Sequence, residues 1–113
     1  MINPKAQIFS KISELEDDFS GLNVYQIRPE VIVNFPTIVF RIEDDRPEYT
    51  LTDGIQNQEI TIRIDIWAET SIESGEILSA LEQKMLEINY RLSTHFDVPE
   101  VDLSSHVTSQ FIY

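Results

Sequence analysis

The chain has 113 residues, with 20 Asp and Glu against 8 Lys and Arg, a formal net charge of -12, and no cysteine. The length suits one domain, and a hydrophobic share of 42% is enough to build a core. The charge argues against direct binding of nucleic acid or anionic membrane, which need a basic patch, and the lack of cysteine excludes disulfides and thiolate chemistry.

The start, Met1-Ile2-Asn3-Pro4-Lys5, lacks the apolar run of a signal peptide. No stretch reaches the roughly 18 apolar residues of a membrane span. A soluble intracellular domain spanning residues 1–113 is expected.

Residues 3–19 predict a helix. Asn3 can cap it and Pro4 suits its first position, where a missing N–H costs nothing. Ile8, Ile12, Leu15 and Phe19 recur on one face, Phe9 widens the stripe, and Gly21 is a natural stop. Glu14, Glu16, Asp17 and Asp18 gather at the C-terminal end, where negative charge is unfavourable by about 0.3–1 kcal/mol per group.

Val24, Tyr25 and Ile27 suggest a short strand limited by Pro29, and Val31-Ile32-Val33 is a second apolar run before Asn34-Phe35-Pro36. Proline cannot donate to a ladder, so this region belongs at a sheet edge or in a loop. Thr37-Ile38-Val39-Phe40-Arg41-Ile42 reads as a strand with Ile38, Phe40 and Ile42 on one face. The polar segment Glu43-Asp44-Asp45-Arg46-Pro47-Glu48 is expected to break it. Tyr49 to Thr52 resume it briefly, and Asp53-Gly54 signals a turn. Residues 43–54 are thus read as a mobile hairpin loop.

Glu59 to Ala68 is the clearest element. Ile60, Ile62, Ile64 and Ile66 line one face; Glu59, Thr61, Arg63, Asp65 and Trp67 line the other. That alternation is the mark of a half-buried antiparallel strand, paired with 37–42. A second helix starts near Thr70, where Thr70 and Glu73 have capping-box spacing. Ile77, Leu78, Leu81, Met85, Ile88 and Leu92 follow at helical intervals, and the helix is expected to run to the Phe96-Asp97-Val98-Pro99 segment. Residues 96–113 form a C-terminal tail ending in a strand.

The predicted fold is therefore α+β, an antiparallel sheet of about four strands with two helices packed on one face. Trp67, Val39 and Tyr25 are expected on the uncovered face, where apolar groups suggest a subunit or partner interface.

Little in the sequence points to catalysis. His95 and His106 stand in no metal-binding or nucleophile-activating spacing and read as surface or helix-end histidines. Glu43-Asp44-Asp45 could attract a divalent cation, but no EF-hand loop accompanies it and Arg46 competes for the carboxylates. Asp65 reads as an exposed strand residue or subunit salt bridge. Gly21, Gly54 and Gly75 are isolated, so no phosphate-cradling loop exists, and no GxSxG elbow is present. No enzyme activity, cofactor or metal is expected.

The run Phe35-Pro36-Thr37-Ile38-Val39-Phe40-Arg41-Ile42, then a polar hairpin, then Ile62-Arg63-Ile64-Asp65-Ile66-Trp67-Ala68 and Thr70-Ser71-Ile72-Glu73 opening a helix, carries a resemblance. In this order the chain resembles the small tail-terminator or tail-completion (head–tail joining) proteins of long-tailed bacteriophages and prophages, over residues 3–95. The resemblance implies a structural protein of the virion, a homo-oligomeric ring, hexameric by preference, at the head-proximal end of the tail. Its partners would be the tail-tube protein and the head connector, with DNA passing through the lumen without being bound specifically; the net charge of the chain predicts that such a lumen is negative. Carried onto this sequence, the hairpin contributes Glu43, Asp44, Asp45, Arg46 and Tyr49 to subunit contacts, and the free sheet face contributes Arg63, Asp65 and Trp67. The alternative reading is an acidic protein-binding module or nucleic-acid-mimic inhibitor.

Overall fold

The computed structural model describes residues 4–26, 35–50, 54–99 and 105–113, and the side chains of these apart from 4, 44–50 and 54–59. The elements are α1 (Pro4–Ser13) with a 3-10 turn (Glu14–Asp17), β1 (Asn23–Tyr25), β2 (Thr37–Thr50), β3 (Gly54–Ala68), α2 (Ser71–Leu86), β4 (Arg91–Asp97) and β5 (Ser105–Ile112). The class is α+β, as expected from the two helical and two alternating segments. The sheet has five strands in the order β1-β2-β3-β5-β4, not four. It is mixed rather than antiparallel, because β1 runs parallel to β2 at one edge.

The isoleucine alternation sets the packing. Ile60, Ile62, Ile64 and Ile66 of β3, Ile38 and Phe40 of β2 and Phe111 of β5 join Ile8, Ile12 and Leu15 of the first helical segment in one buried cluster. Ile77, Leu81 and Met85 of α2 complete it. Both helices therefore cover the same sheet face. Two polar residues that β5 turns toward this layer find partners. The Ser109 hydroxyl donates to the Ile64 carbonyl at 2.8 Å, and the Ser105 and Ser74 hydroxyls lie 2.8 Å apart, tying β5 to α2.

Helix one tightens at Glu14 instead of continuing as α-helix to 19. A closing 3-10 turn is common at helix ends, and here it carries the acidic run. Part of that charge is met across the helices. Glu14 lies 3.4 Å from Lys11 and 3.3 Å from Lys84, and Glu87 lies 3.8 Å from Lys11. The Lys84 hydrogen bond is the main reason the Glu14 carboxyl is held below its ordinary value, with partial burial opposing it and Lys11 assisting. Gly21 takes φ 77, a left-handed conformation suited to glycine, and the chain turns there toward β1.

The start of α2 is as its capping box predicts: Thr70 Oγ1 accepts from the Glu73 backbone N–H at 3.1 Å. Its end is not. The helix stops at Leu86, and residues 91–97 form strand β4. Asn89 adopts φ 68. The Tyr90 N–H returns to the Met85 carbonyl at 2.9 Å and the Asn89 N–H to Leu86 at 3.0 Å, a Schellman closure. Leu92 falls at helical spacing from Ile88 yet packs on the core from β4. His95 is consequently an exposed strand residue rather than a helix-end one.

The expected break at Glu43–Glu48 is also absent. The β2–β3 ladder continues through Arg46↔Glu59 to Thr50↔Gly54, with register shifts after Ile42 and Glu48 that absorb the irregularity. Among the described residues, pairing with β5 reaches Thr61, with the Tyr113 N–H donating to the Ile60 carbonyl at 2.9 Å, and pairing with β1 reaches Val39. Among the described residues, Arg46–Thr50 and Gly54–Glu59 therefore extend as a two-stranded ribbon, about 17 Å long at roughly 3.3 Å per residue. This arm elongates the molecule to 54 × 27 × 23 Å. Its radius of gyration, 15.1 Å, exceeds the about 13 Å of a compact chain this long. The apolar runs at Ile27 and 31–33, with Pro29, lie outside the described residues.

Candidate functional site

No helix or strand among the described residues covers the second face of the sheet. Strand pairing arranges its side chains in rows. Tyr25, Val39, Asp65, Thr108 and Phe96 form one row across all five strands; Thr37, Trp67 and His106 form a second; Arg41, Arg63, Gln110 and Thr94 form a third. The alternation of β3 thus brings Arg63, Asp65 and Trp67 onto one face, as its sequence implies. It also brings them against residues of β5 that were not singled out.

Trp67 and His106 are register partners and stack, ring centroids 4.1 Å apart at 19°. This contact helps bury Trp67, which is only 3% exposed, and Val39 is likewise buried. Neither is the exposed apolar group expected from the open face; Tyr25 and Phe96 are, at 38% and 56%. His106 is buried too, correcting its reading as a surface histidine.

His106 Nε2 lies 3.1 Å from Asp65 Oδ1, and Arg63 Nε donates to Thr108 Oγ1 at 2.9 Å while standing 3.6 Å from Asp65 Oδ2. Asp65, 15% exposed at its side chain, is therefore not a free strand carboxylate. Burial pushes its carboxyl up. Hydrogen bonds from His106 and Thr108 and the Arg63 charge outweigh this and hold it below the ordinary aspartate value. The result is a prearranged, ionised polar cluster under an open groove of about 420 Å³ lined by Val39, Arg41, Arg63, Asp65, Trp67 and His106. A smaller recess of about 140 Å³ continues past Arg63 toward Phe96 and Glu43.

Chemically, the cluster can present guanidinium donors and fix the indole and imidazole rings. His106 and Asp65 form a pair at 3.1 Å, which fixes the imidazole against the carboxylate. Among the described residues, no group of three or more His, Asp or Glu is placed to hold a metal ion, and no helix is long and apolar enough to cross a membrane.

The remaining predicted contact residues lie elsewhere. Glu43 sits beside the groove, 3.7 Å from Arg41 and accepting weakly from Gln110 at 3.5 Å. Asp44, Asp45, Arg46 and Tyr49 belong to the backbone of the ribbon, and their side chains lie outside the described part of the structure. His106, Thr108 and Arg41 were missed as site residues. The period-2 alternation of Ser105–Ile112 puts His106, Thr108 and Gln110 on one face, a usable signal. What the sequence lacks is the register that sets them against Asp65 and Trp67.

Compared with known proteins, the chain matches no protein-family model and no curated protein.

Proposed function

We propose that this chain is a non-enzymatic assembly protein, a tail terminator or tail-completion subunit of a phage virion. It would form a ring, hexameric by preference, that caps the tail tube and joins it to the head connector. The observation that carries the assembly reading is the β2–β3 ribbon. A two-stranded ribbon is marginally stable in water by itself, and among the described residues the outer edges of both its strands have no neighbouring strand. A projection of this length is accounted for if a neighbouring subunit or the tube receives it. The phage identity rests on the resemblance of residues 3–95, and the low cation content fits a passage along which DNA slides without sticking.

The test is light scattering on the purified chain at high concentration, alone and with tail-tube protein. Discrete rings, or a complex that stops tube growth, are expected. A chain that stays monomeric in both settings overturns the proposal. If it instead captures a basic nucleic-acid-binding protein while remaining monomeric, the acidic-inhibitor reading replaces it.

A further inference from the structure

Arg41 and Arg63 stand directly opposite each other on β2 and β3. Like charges in that position repel, yet the chain places two of its 8 cations there. Their existing partners are incomplete. Arg41 is 62% exposed at its side chain and among the described residues is paired with Glu43 alone, at 3.7 Å; Arg63 is 36% exposed and uses its Nε for Thr108. The Nη nitrogens of both make no hydrogen bond among the described residues. The groove thus offers two guanidinium forks with donors to spare, the arrangement that takes carboxylates in bidentate fashion.

The opposite side of the molecule supplies the complement. The helical layer, residues 4–18 and 70–90, carries eight carboxylates against three lysines. Glu14 is engaged by Lys11 and Lys84. Glu16 and Asp17 are exposed and have no ion-pair partner among the described residues.

Resting on the assembly reading, we propose that Arg41 and Arg63 of one copy receive Glu16 and Asp17 of the next. The helices and the arginines lie on opposite faces of a two-layer domain, so this contact is front to back. It joins two different patches and is heterologous, the kind of contact that repeats around a ring. The net repulsion between two acidic copies decays within about 8 Å at physiological salt, while contact pairs at the interface are screened much less. A polyanion such as nucleic acid is a poorer occupant, because Glu43 and Asp65 flank the arginines and leave the face neutral rather than basic.

Charge-swapped full-length chains test this by sedimentation velocity, with circular dichroism as the check on folding. Arg41→Glu alone, and Glu16→Arg with Asp17→Arg, should each weaken self-association at least about tenfold, since each sets like charges together. An equimolar mixture of the two folded variants should recover part of the assembly, because one contact then pairs Arg41 and Arg63 with Glu16 and Asp17 as in wild type and the other sets the introduced carboxylate against the introduced guanidinium groups, with Arg63 alone left facing like charge. Arg41→Lys should keep most of it. Folded variants that associate like wild type, or a mixture that stays dissociated, overturn the contact while leaving the assembly reading in place. A wild-type chain that does not associate at all, alone or on the tube, removes both.

Discussion

Replacing Asp65 tests whether the outer sheet face is a built polar cluster or a set of surface residues that happen to be near. In the folded chain its carboxylate receives His106 and Thr108 and sits beside Arg63, with little solvent contact. Hydrogen bonds to a charged group contribute about 1.5–3 kcal/mol each. Because the groove lets water replace part of what is lost, Asp65→Ala should cost about 2–3 kcal/mol, and Asp65→Asn, which keeps one acceptor oxygen, about 1 kcal/mol. The sign of the pH dependence follows from the lowered folded-state value. Relative to an unfolded value near 3.8, the ionised carboxylate stabilises the fold fully above that value. Its contribution disappears as pH falls through the lower folded-state value. The gap between wild type and Asp65→Asn should therefore be constant near neutral pH and close at pH below about 3.8. Urea unfolding at low protein concentration, followed by the fluorescence of the single tryptophan, reads this directly, since Trp67 stacks on His106 in the same cluster. A loss under about 0.5 kcal/mol for Asp65→Ala, within the range of ordinary surface changes, would refute the reasoning. A gap that persists unchanged into strong acid would do the same.

Other positions give independent checks on the fold. Ile64→Ala, at a fully buried site in the central strand, should cost about 2–5 kcal/mol in the same assay. Thr70→Ala removes the acceptor of the Glu73 N–H and should cost about 1 kcal/mol, with Thr70→Ser close to wild type. Asn89→Ala should cost about 1–2 kcal/mol because alanine tolerates φ 68 poorly, whereas Asn89→Gly should match or exceed wild type in thermal unfolding.

The parts of this fold that were legible in the sequence are those fixed by local pattern. Four isoleucines at alternate positions define β3 and its buried face, and Thr70 with Glu73 marks the start of α2. Arg63, Asp65 and Trp67 share a face for the same reason. The errors fall where tertiary contacts decide. Leu92 continues the helical period by coincidence, so β4 reads as the end of a helix. The signal that separates them is a single asparagine accepting a left-handed conformation at position 89. The polar run from Glu43 to Glu48 looks like a loop because its composition is that of one, yet pairing with β3 carries it onward as a strand. Parallel pairing of Asn23–Tyr25 with β2, and the insertion of β5 between β3 and β4, join residues distant in sequence and leave no local trace. The Asp65–His106 pair spans the same kind of gap, which is why the histidine reads as a surface residue from sequence.

The central claim is that this is an assembly protein whose ribbon reaches a neighbour. Its most direct test is a chain in which residues 46–59 are replaced by Asn-Gly, a two-residue turn that suits the pairing of Asp45 with Ile60. Sedimentation velocity of this chain and wild type, side by side and with tail-tube protein, gives the answer. The account predicts a folded monomer for the shortened chain where wild type forms closed oligomers or caps the tube. A shortened chain that assembles as well as wild type would contradict it.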